Sequence, residues 1–395
     1  MSKPKSSQFE FIALMAALMS VVALAIDALL PALDIIGLAI GTSRLIDNQL
    51  LITMIFLGLG IGPLIFGPMS DSIGRKPVVY FGFIIFIISS FICVYATSLE
   101  VMIAGRILQG IGLSSPRTIA IAIIRDKYSG DYMARIMSFV TVVFLLVPIV
   151  APAMGKLVLE LHNWQGIFYV QIVISLLVAL WFWKRQEETL SEENKIRFSV
   201  SLITNGFKEV LRQKVSMGYT FISGLVVGSF LVYLSSSQQI FQEQYGLKEE
   251  FPYIFAGLAI AIGTAIFLNG SFVLKYGMKR LVSLSLVGYF ATSLLYIVLF
   301  FGSENPSIYV LLTFFGLQFF CVGFLFGNLR ALAMEPLGHI AGIGSAVTGF
   351  IATMMAVPIS TWIGRFVGET SLPLFIGFAI CSSIAVLILL YLRKK

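Results

Sequence analysis

Long apolar runs, broken at short intervals by small polar clusters, organise this chain from end to end. A helix needs about 20 apolar residues, rising about 1.5 Å each, to cross the hydrocarbon of a bilayer. Twelve runs meet that length, over 9–31, 46–69, 77–97, 100–124, 135–160, 165–184, 215–237, 252–274, 281–301, 307–333, 341–364 and 371–392. The longest polar stretch, 185–214, divides them six and six. The pattern predicts an all-α polytopic membrane protein with three parts. These are an N-terminal six-helix half over 1–184, a cytoplasmic central loop over 185–214 and a C-terminal six-helix half over 215–395. A faint internal echo agrees with two halves: Gly67-x6-Gly74-x-Lys76 returns as Gly270-x6-Gly277-x-Lys279, with Leu274 where the first copy has Asp71. Paired halves around a central cavity recur among transporters.

Composition narrows the picture. The 395 residues are 58% hydrophobic and 12% charged, about half the charge a soluble domain uses to cover its surface, so most of the outer surface faces lipid. The net charge of +7 raises nucleic acid as a partner, but its placement argues for topology instead. Lys and Arg gather in alternate loops: Lys3 and Lys5; Arg75 and Lys76; Arg125, Lys127 and Arg135; 184–214; Lys275 to Arg280; Arg393 to Lys395. The opposite loops hold little beyond Arg44 and Lys248. Positive charge marks the cytoplasmic side, so a cytoplasmic membrane protein with both termini inside is expected. The first segment resembles a signal peptide but carries Asp27 and lacks a small-residue cleavage site, so it reads as an uncleaved span. Cys93, Cys321 and Cys381 fall inside spans without metal or disulfide spacing and read as small core residues. No paired carboxylates, HExxH, nucleophile elbow or phosphate loop is written in the chain, which argues against an enzyme and against ATP-driven transport.

The stretch GPMSDSIGRKP, 67–77, breaks this apolar background between spans two and three. Gly67 allows close helix approach, Gly74 suits a turn with positive φ, and Pro77 suits the first position of the next helix. Asp71 either caps a neighbouring helix or pairs with a base. The bland alternative is a charged turn that only fixes topology.

At Gly67, Asp71, Gly74, Arg75 and Lys76 this stretch resembles the signature loop of the major facilitator superfamily, with Ser72 and Met69 departing from its usual arginine and leucine. The resemblance implies a latch between the halves, in which Arg75 meets an acid at the end of span four, where Asp126 stands. Arg106-Ile-Leu-Gln109-Gly110-x-Gly112 resembles the span-four motif of proton-coupled antiporters, and Pro148-x3-Pro152-Ala-Met-Gly155 their span-five motif. AIDALLPAL (25–33), IFQEQYGL (240–247) and the run from Ala341 through Gly342 and Ser345 resemble the Bcr/CflA branch of drug:proton antiporters. The resemblance implies a twelve-helix exporter with no cofactor, driven by the proton gradient and acting as a monomer on small molecules.

The spans place four ionisable residues inside the bilayer rather than at its interfaces: Asp27, Arg106, Arg117 and Arg330. Such groups are costly in lipid and face cavities or partners. Asp27 and Arg106 sit at matching depths, so a direct or water-bridged pair is expected. Together they would form a proton switch, because a carboxylate's protonation responds to burial and to a nearby arginine. The alternative is a static tie between spans one and four. Arg117, three turns from Arg106 on one face, is expected to line the cavity; Arg330 either snorkels or joins it. Tyr233, Gln238, Gln239, Asn269, Gln318 and Asn328 would complete a mixed pocket, although an aromatic in so Phe-rich a chain is more often core. Pro148, Pro152 and Gly155 imply a bend in span five, useful for rocking or merely for packing. His162 and His339 read as loop residues, and Glu10, Asp34, Asp47, Glu100 and Lys156 as interfacial ones. The expected activity is export of amphipathic compounds against protons. The second reading is export of an anionic metabolite, for example a carboxylate siderophore, through Arg117.

Overall fold

In the computed structural model, residues 7–42, 44–128, 130–195 and 199–393 are described. Lys3, Lys5, Lys394 and Lys395 lie outside them, as do the side chains of Arg135 and His339. The described chain is helical and contains no strand. Eleven of its helical stretches are long and apolar enough to cross a membrane, which makes this a multi-pass membrane protein. The twelfth expected span, 135–160, lies within a helix over Gly130–Leu161, some of whose side chains fall outside the described residues.

Contacts group the chain into two units, one of 1–43 with 54–203 and another of 44–53 with 204–395. The first holds α1 (Gln8–Asp27), α2 (Leu33–Ala39), α3 (Leu50–Ile73), α4 (Arg75–Val94), α5 (Leu99–Lys127), α6 (Gly130–Leu161) and α7 (Trp164–Arg185). Its packing is built on glycine. Lipid supplies no hydrophobic drive between helices, so close backbone approach through small residues holds them together. An added Cβ on Gly58 of α3 would lie 2.0 Å from the Ile107 carbonyl of α5, and one on Gly110 of α5 2.0 Å from the Ile55 carbonyl of α3. An added Cβ on Gly112 would lie 2.7 Å from the Gly82 carbonyl of α4. Helix α5 is thus clasped from two sides within a single turn. Gly110→Val is expected to cost at least about 3 kcal/mol, since the obstructing atoms are backbone and cannot swing away. Thermal unfolding of the detergent-solubilised protein measures this, and an unchanged midpoint would contradict the crossing.

The second unit holds α9 (Lys214–Gln238), α10 (Phe251–Tyr276), α11 (Met278–Phe300), α12 (Ile308–Met334), α13 (Ala341–Gly364) and α14 (Leu372–Arg393). Helix α9 runs into a π-helical turn over Gln239–Gln244, and α9 packs on α13, α12 and α14.

Three expectations need correction. The central stretch is not all loop: it contains the amphipathic helix α8 (Val200–Arg212), which seats Gly206 against Ile343 and Phe207 edge-on to Phe350. Pro77 is the third residue of α4, not the first, a position that still needs no backbone donor. Within its unit, a side chain on Gly67 would meet nothing within 4 Å, so the close approach of span two is made by Gly58 and Gly62.

Candidate functional site

The last turn of α1 is where the separate motifs meet. Pro31 has no N–H, so the Asp27 carbonyl loses its helical partner, α1 ends at Asp27 and Leu30–Ala32 continues as a 3-10 turn. The Leu29 N–H goes to the Ile26 carbonyl, which leaves the Ala25 carbonyl without its usual helical donor. Arg106 of α5 fills that place, its Nη1 donating to Ala25 O at 3.1 Å and to Gln109 Oε1 at 2.7 Å. Gln109 Nε2 donates to Ser90 Oγ at 2.8 Å, and that hydroxyl donates to the Phe86 carbonyl. One residue past Asp27, the Ala28 carbonyl lies 2.0 Å from where a Cβ on Gly155 of α6 would stand. Asp27 is therefore held between two anchored backbone positions. Its side chain is buried, and among the described residues no hydrogen bond or ion pair engages its carboxylate. The direct Asp27–Arg106 pair allowed by their matching depths is absent, because the guanidinium is drawn to the carbonyl freed by the helix break. Helix α6 runs without interruption through Pro148 and Pro152.

A second cluster joins α3, α4 and α5. Arg75 is buried and gives its side chain to Asp71, to Ser70 Oγ at 2.8 Å and to Asp126, from Nε to Oδ2, at 2.9 Å. Gly74 stands before α4 at φ 107, ψ 159, in the left-handed half of the map that glycine adopts without strain. Glu188, three residues beyond α7, accepts the backbone N–H of Arg75 on one oxygen and that of Lys76 on the other, each at 3.0 Å. It also accepts the N–H groups of Thr189 and Leu190. Partial burial pushes the Glu188 carboxyl up, but these four backbone donors outweigh it and hold it below the ordinary glutamate range. A depressed carboxyl lends stability above its unfolded pKa, about 4.3, and loses it as pH falls through the folded value. The Tm gap between wild type and Glu188→Gln should thus hold steady from about pH 6 to about pH 8 and close below about pH 4. A gap that widened on acidification would contradict the assignment.

The remaining candidates are dispersed. In the second unit, Gln49 Nε2 donates to Gln239 Oε1 at 3.0 Å and Gln238 Nε2 to Gln242 Oε1 at 3.3 Å. Asn269 and Asn328 exchange amide hydrogen bonds between α10 and α12. The Tyr233 ring is buried among Phe255, Phe315 and Phe319. Arg330 is exposed and donates to Ser345 Oγ at 3.0 Å. In the first unit, Arg117 is half-buried on α5.

Gln318 repeats an arrangement of the first unit. Its Nε2 donates to Ser293 Oγ at 2.5 Å, and Ser293 donates to the Tyr289 carbonyl, as Gln109 and Ser90 do with Phe86. Ser293 follows Gly270 by the same interval as Ser90 follows Gly67, so the echo in the sequence reached further than the two glycines and the lysine. Three residues before Gln318 stands Phe315, where the first unit has Arg106, and Gln318 Oε1 has no hydrogen-bond partner among the described residues. Sequence reasoning also missed Glu188, one of five glutamates in the polar stretch 185–214 with nothing to single it out.

The comparisons with known proteins agree with this architecture. The chain is 27% identical over 360 residues to a bicyclomycin resistance protein homolog of Haemophilus influenzae, covering 87% of this chain and 86% of that protein. It is 29% identical over 339 residues to the multidrug resistance protein MdtL of Citrobacter koseri, covering 85% and 84%. Its fold is similar to the human organic anion transporter MFSD10 (TETRAN), with a TM-score of 0.67 and 16% identity over 98% of this chain and 100% of that one. The sequence profile of the Major Facilitator Superfamily matches residues 14–357, and the chain belongs to that family.

Proposed function

We propose that this transporter is a proton-coupled antiporter exporting small amphipathic compounds across a bacterial inner membrane, with Asp27 as the protonation site. The observation that carries this reading is the buried Asp27 carboxylate, which no described side chain neutralises, in a turn fixed by Arg106 and Gly155. A buried ionised carboxylate without a partner is costly, so a proton that comes and goes is its natural counterion. The names of the relatives, for bicyclomycin and multidrug resistance, support the substrate class. In this reading both termini are cytoplasmic, the monomer works by alternating access of the rocker-switch kind, and the proton gradient replaces any cofactor. Arg117, Tyr233, Gln238, Gln239, Asn269, Gln318, Asn328 and Arg330 supply candidate substrate contacts. The half-buried Arg117 on the same helix as Arg106 favours, as a second reading, an anionic substrate such as a carboxylate siderophore.

Energised inverted vesicles decide between them. Cationic drugs, neutral phenicols and di- or tricarboxylates are added in turn while the pH gradient is followed. Drug-dependent collapse of the gradient is expected; collapse by carboxylates alone selects the second reading, and a gradient indifferent to all three classes rejects antiport. The Asp71–Arg75–Asp126 cluster serves here as the latch. Asp71→Asn is expected to leave insertion intact and slow turnover about tenfold, the range for losing a charge-assisted hydrogen bond. Normal turnover in this variant would remove the latch role.

A further inference from the structure

We propose that Glu188 is a positioning residue of the gate, holding Arg75 in place through its backbone while Thr189 holds Arg75's acidic partner. The proposal rests on the latch reading and adds a part to it that lies outside the signature loop.

Helix α4 begins at Arg75, and the first N–H groups of a helix have no partner within it. The residue before is Gly74, which has no side chain to cap them. The cap comes from far along the chain, as the two oxygens of one carboxylate, each accepting from one of the first two N–H groups. That carboxylate is itself preset by the N–H groups of Thr189 and Leu190. The negative charge sits at the positive end of the α4 dipole. Next to it, Thr189 Oγ1 donates at 2.8 Å to Asp126 Oδ2, the same oxygen that receives Arg75 Nε. Two adjacent residues thus grip the arginine from behind and its partner from the side. Gly74 gains a second requirement: a Cβ there would lie 2.7 Å from Glu188 Oε2. Glycine is required there by its φ, and a side chain would also push the carboxylate off the two N–H groups it caps.

An ordinary cap contributes stability and nothing else. The arrangement here is different because Glu188 stands just beyond α7, so any displacement of the end of α7 is passed to the backbone of Arg75 and, through Thr189, to Asp126. Removing the grip leaves Arg75 and both its acids present but no longer aligned. The expected consequence is a slower conformational step with unchanged recognition of substrate.

The test uses the full chain in proteoliposomes, with ethidium and bicyclomycin as probes. Glu188→Gln is expected to lower the maximal rate about fivefold to tenfold with KM within about twofold of wild type, and Glu188→Asp to recover part of the rate. Amide exchange measured on the same proteins should accelerate over residues 75–78 and stay unchanged in the rest of α4. Combined with Asp126→Asn, the Glu188→Gln loss should be less than the product of the two single losses, since both act through Arg75. Wild-type rate in Glu188→Gln beside a slowed Asp71→Asn overturns the positioning role and leaves the latch standing. Faster exchange with a normal rate does the same, reducing Glu188 to a cap. A wild type that moves neither probe overturns the export reading and this proposal with it.

Discussion

Asp27→Asn is expected to abolish uphill export while leaving downhill movement of the same compound intact. The substitution keeps the shape of the side chain and removes its ability to bind and release a proton. Each pH unit across the membrane contributes about 1.4 kcal/mol per coupled proton, a factor of ten in accumulation. A gradient of about two units therefore supports about hundredfold accumulation, all of which is lost when the proton site is lost. Because the Asp27 carboxylate has no hydrogen-bonding partner to abandon among the described residues, the asparagine variant strips no neighbouring group of a bond, and its melting temperature should stay close to that of wild type. The measurement is a pair of assays on one preparation: accumulation against a concentration gradient with the proton gradient imposed, and facilitated equilibration without it. Continued uphill accumulation by the asparagine variant would dismiss Asp27 as the coupling site. Loss of both movements would assign it a structural part in the turn.

Gly155→Val is expected to be the most damaging single change on α6. Its Cβ would stand 2.0 Å from the Ala28 carbonyl, and a backbone atom at that distance yields only if the end of α1 moves. That end carries Asp27. Overpacking of this kind costs about 3 kcal/mol or more, so the yield of folded protein should fall. The fraction that folds should transport at least about tenfold more slowly, because the turn that holds Asp27 is displaced. Gly155→Ala should lie between the two. Fluorescence-detected size exclusion reports the folded fraction and vesicle transport the rate. A valine variant with wild-type values in both would mean that α6 does not rest on this turn.

The spans were legible because lipid leaves a chain few options: every backbone group must be bonded internally, so a run of about twenty apolar residues is a helix. The site was legible in pieces. Asp27, Arg106 and Gly155 stand in three motifs on three helices, and the resemblance named each motif without saying that they close on one turn. Their depths along the helices were readable, since rise per residue is fixed. The direction of the Arg106 side chain was not, because it depends on a carbonyl set free by a proline on another helix. Gly67 illustrates a similar limit. Spacing identifies a glycine but not the face it presents, and the contacts belong to Gly58, Gly62 and Gly110. Helix α8 was hidden by its charges, although Ile203, Gly206, Phe207 and Val210 recur at helical spacing on one side. Glu188 gave no signal at all, since the N–H groups it caps, those of Arg75 and Lys76, lie more than a hundred residues away.

The matched pairs Gln109–Ser90 and Gln318–Ser293 differ in what stands one turn before the glutamine, a guanidinium in one unit and the Phe315 ring in the other. With that exchange the two units part company electrically. Among the described residues, the first carries Asp27, Arg106 and Arg117 in the interior of its spans, whereas the second has Arg330 alone, exposed and one turn from the end of α12. A charge moved across the membrane field is worth about 2.3 kcal/mol per 100 mV. The second unit has almost nothing on which that field can pull. In the proposed antiport cycle, voltage and proton concentration act chiefly on the first unit, and the second offers the cell's stored electrical energy little beyond Arg330.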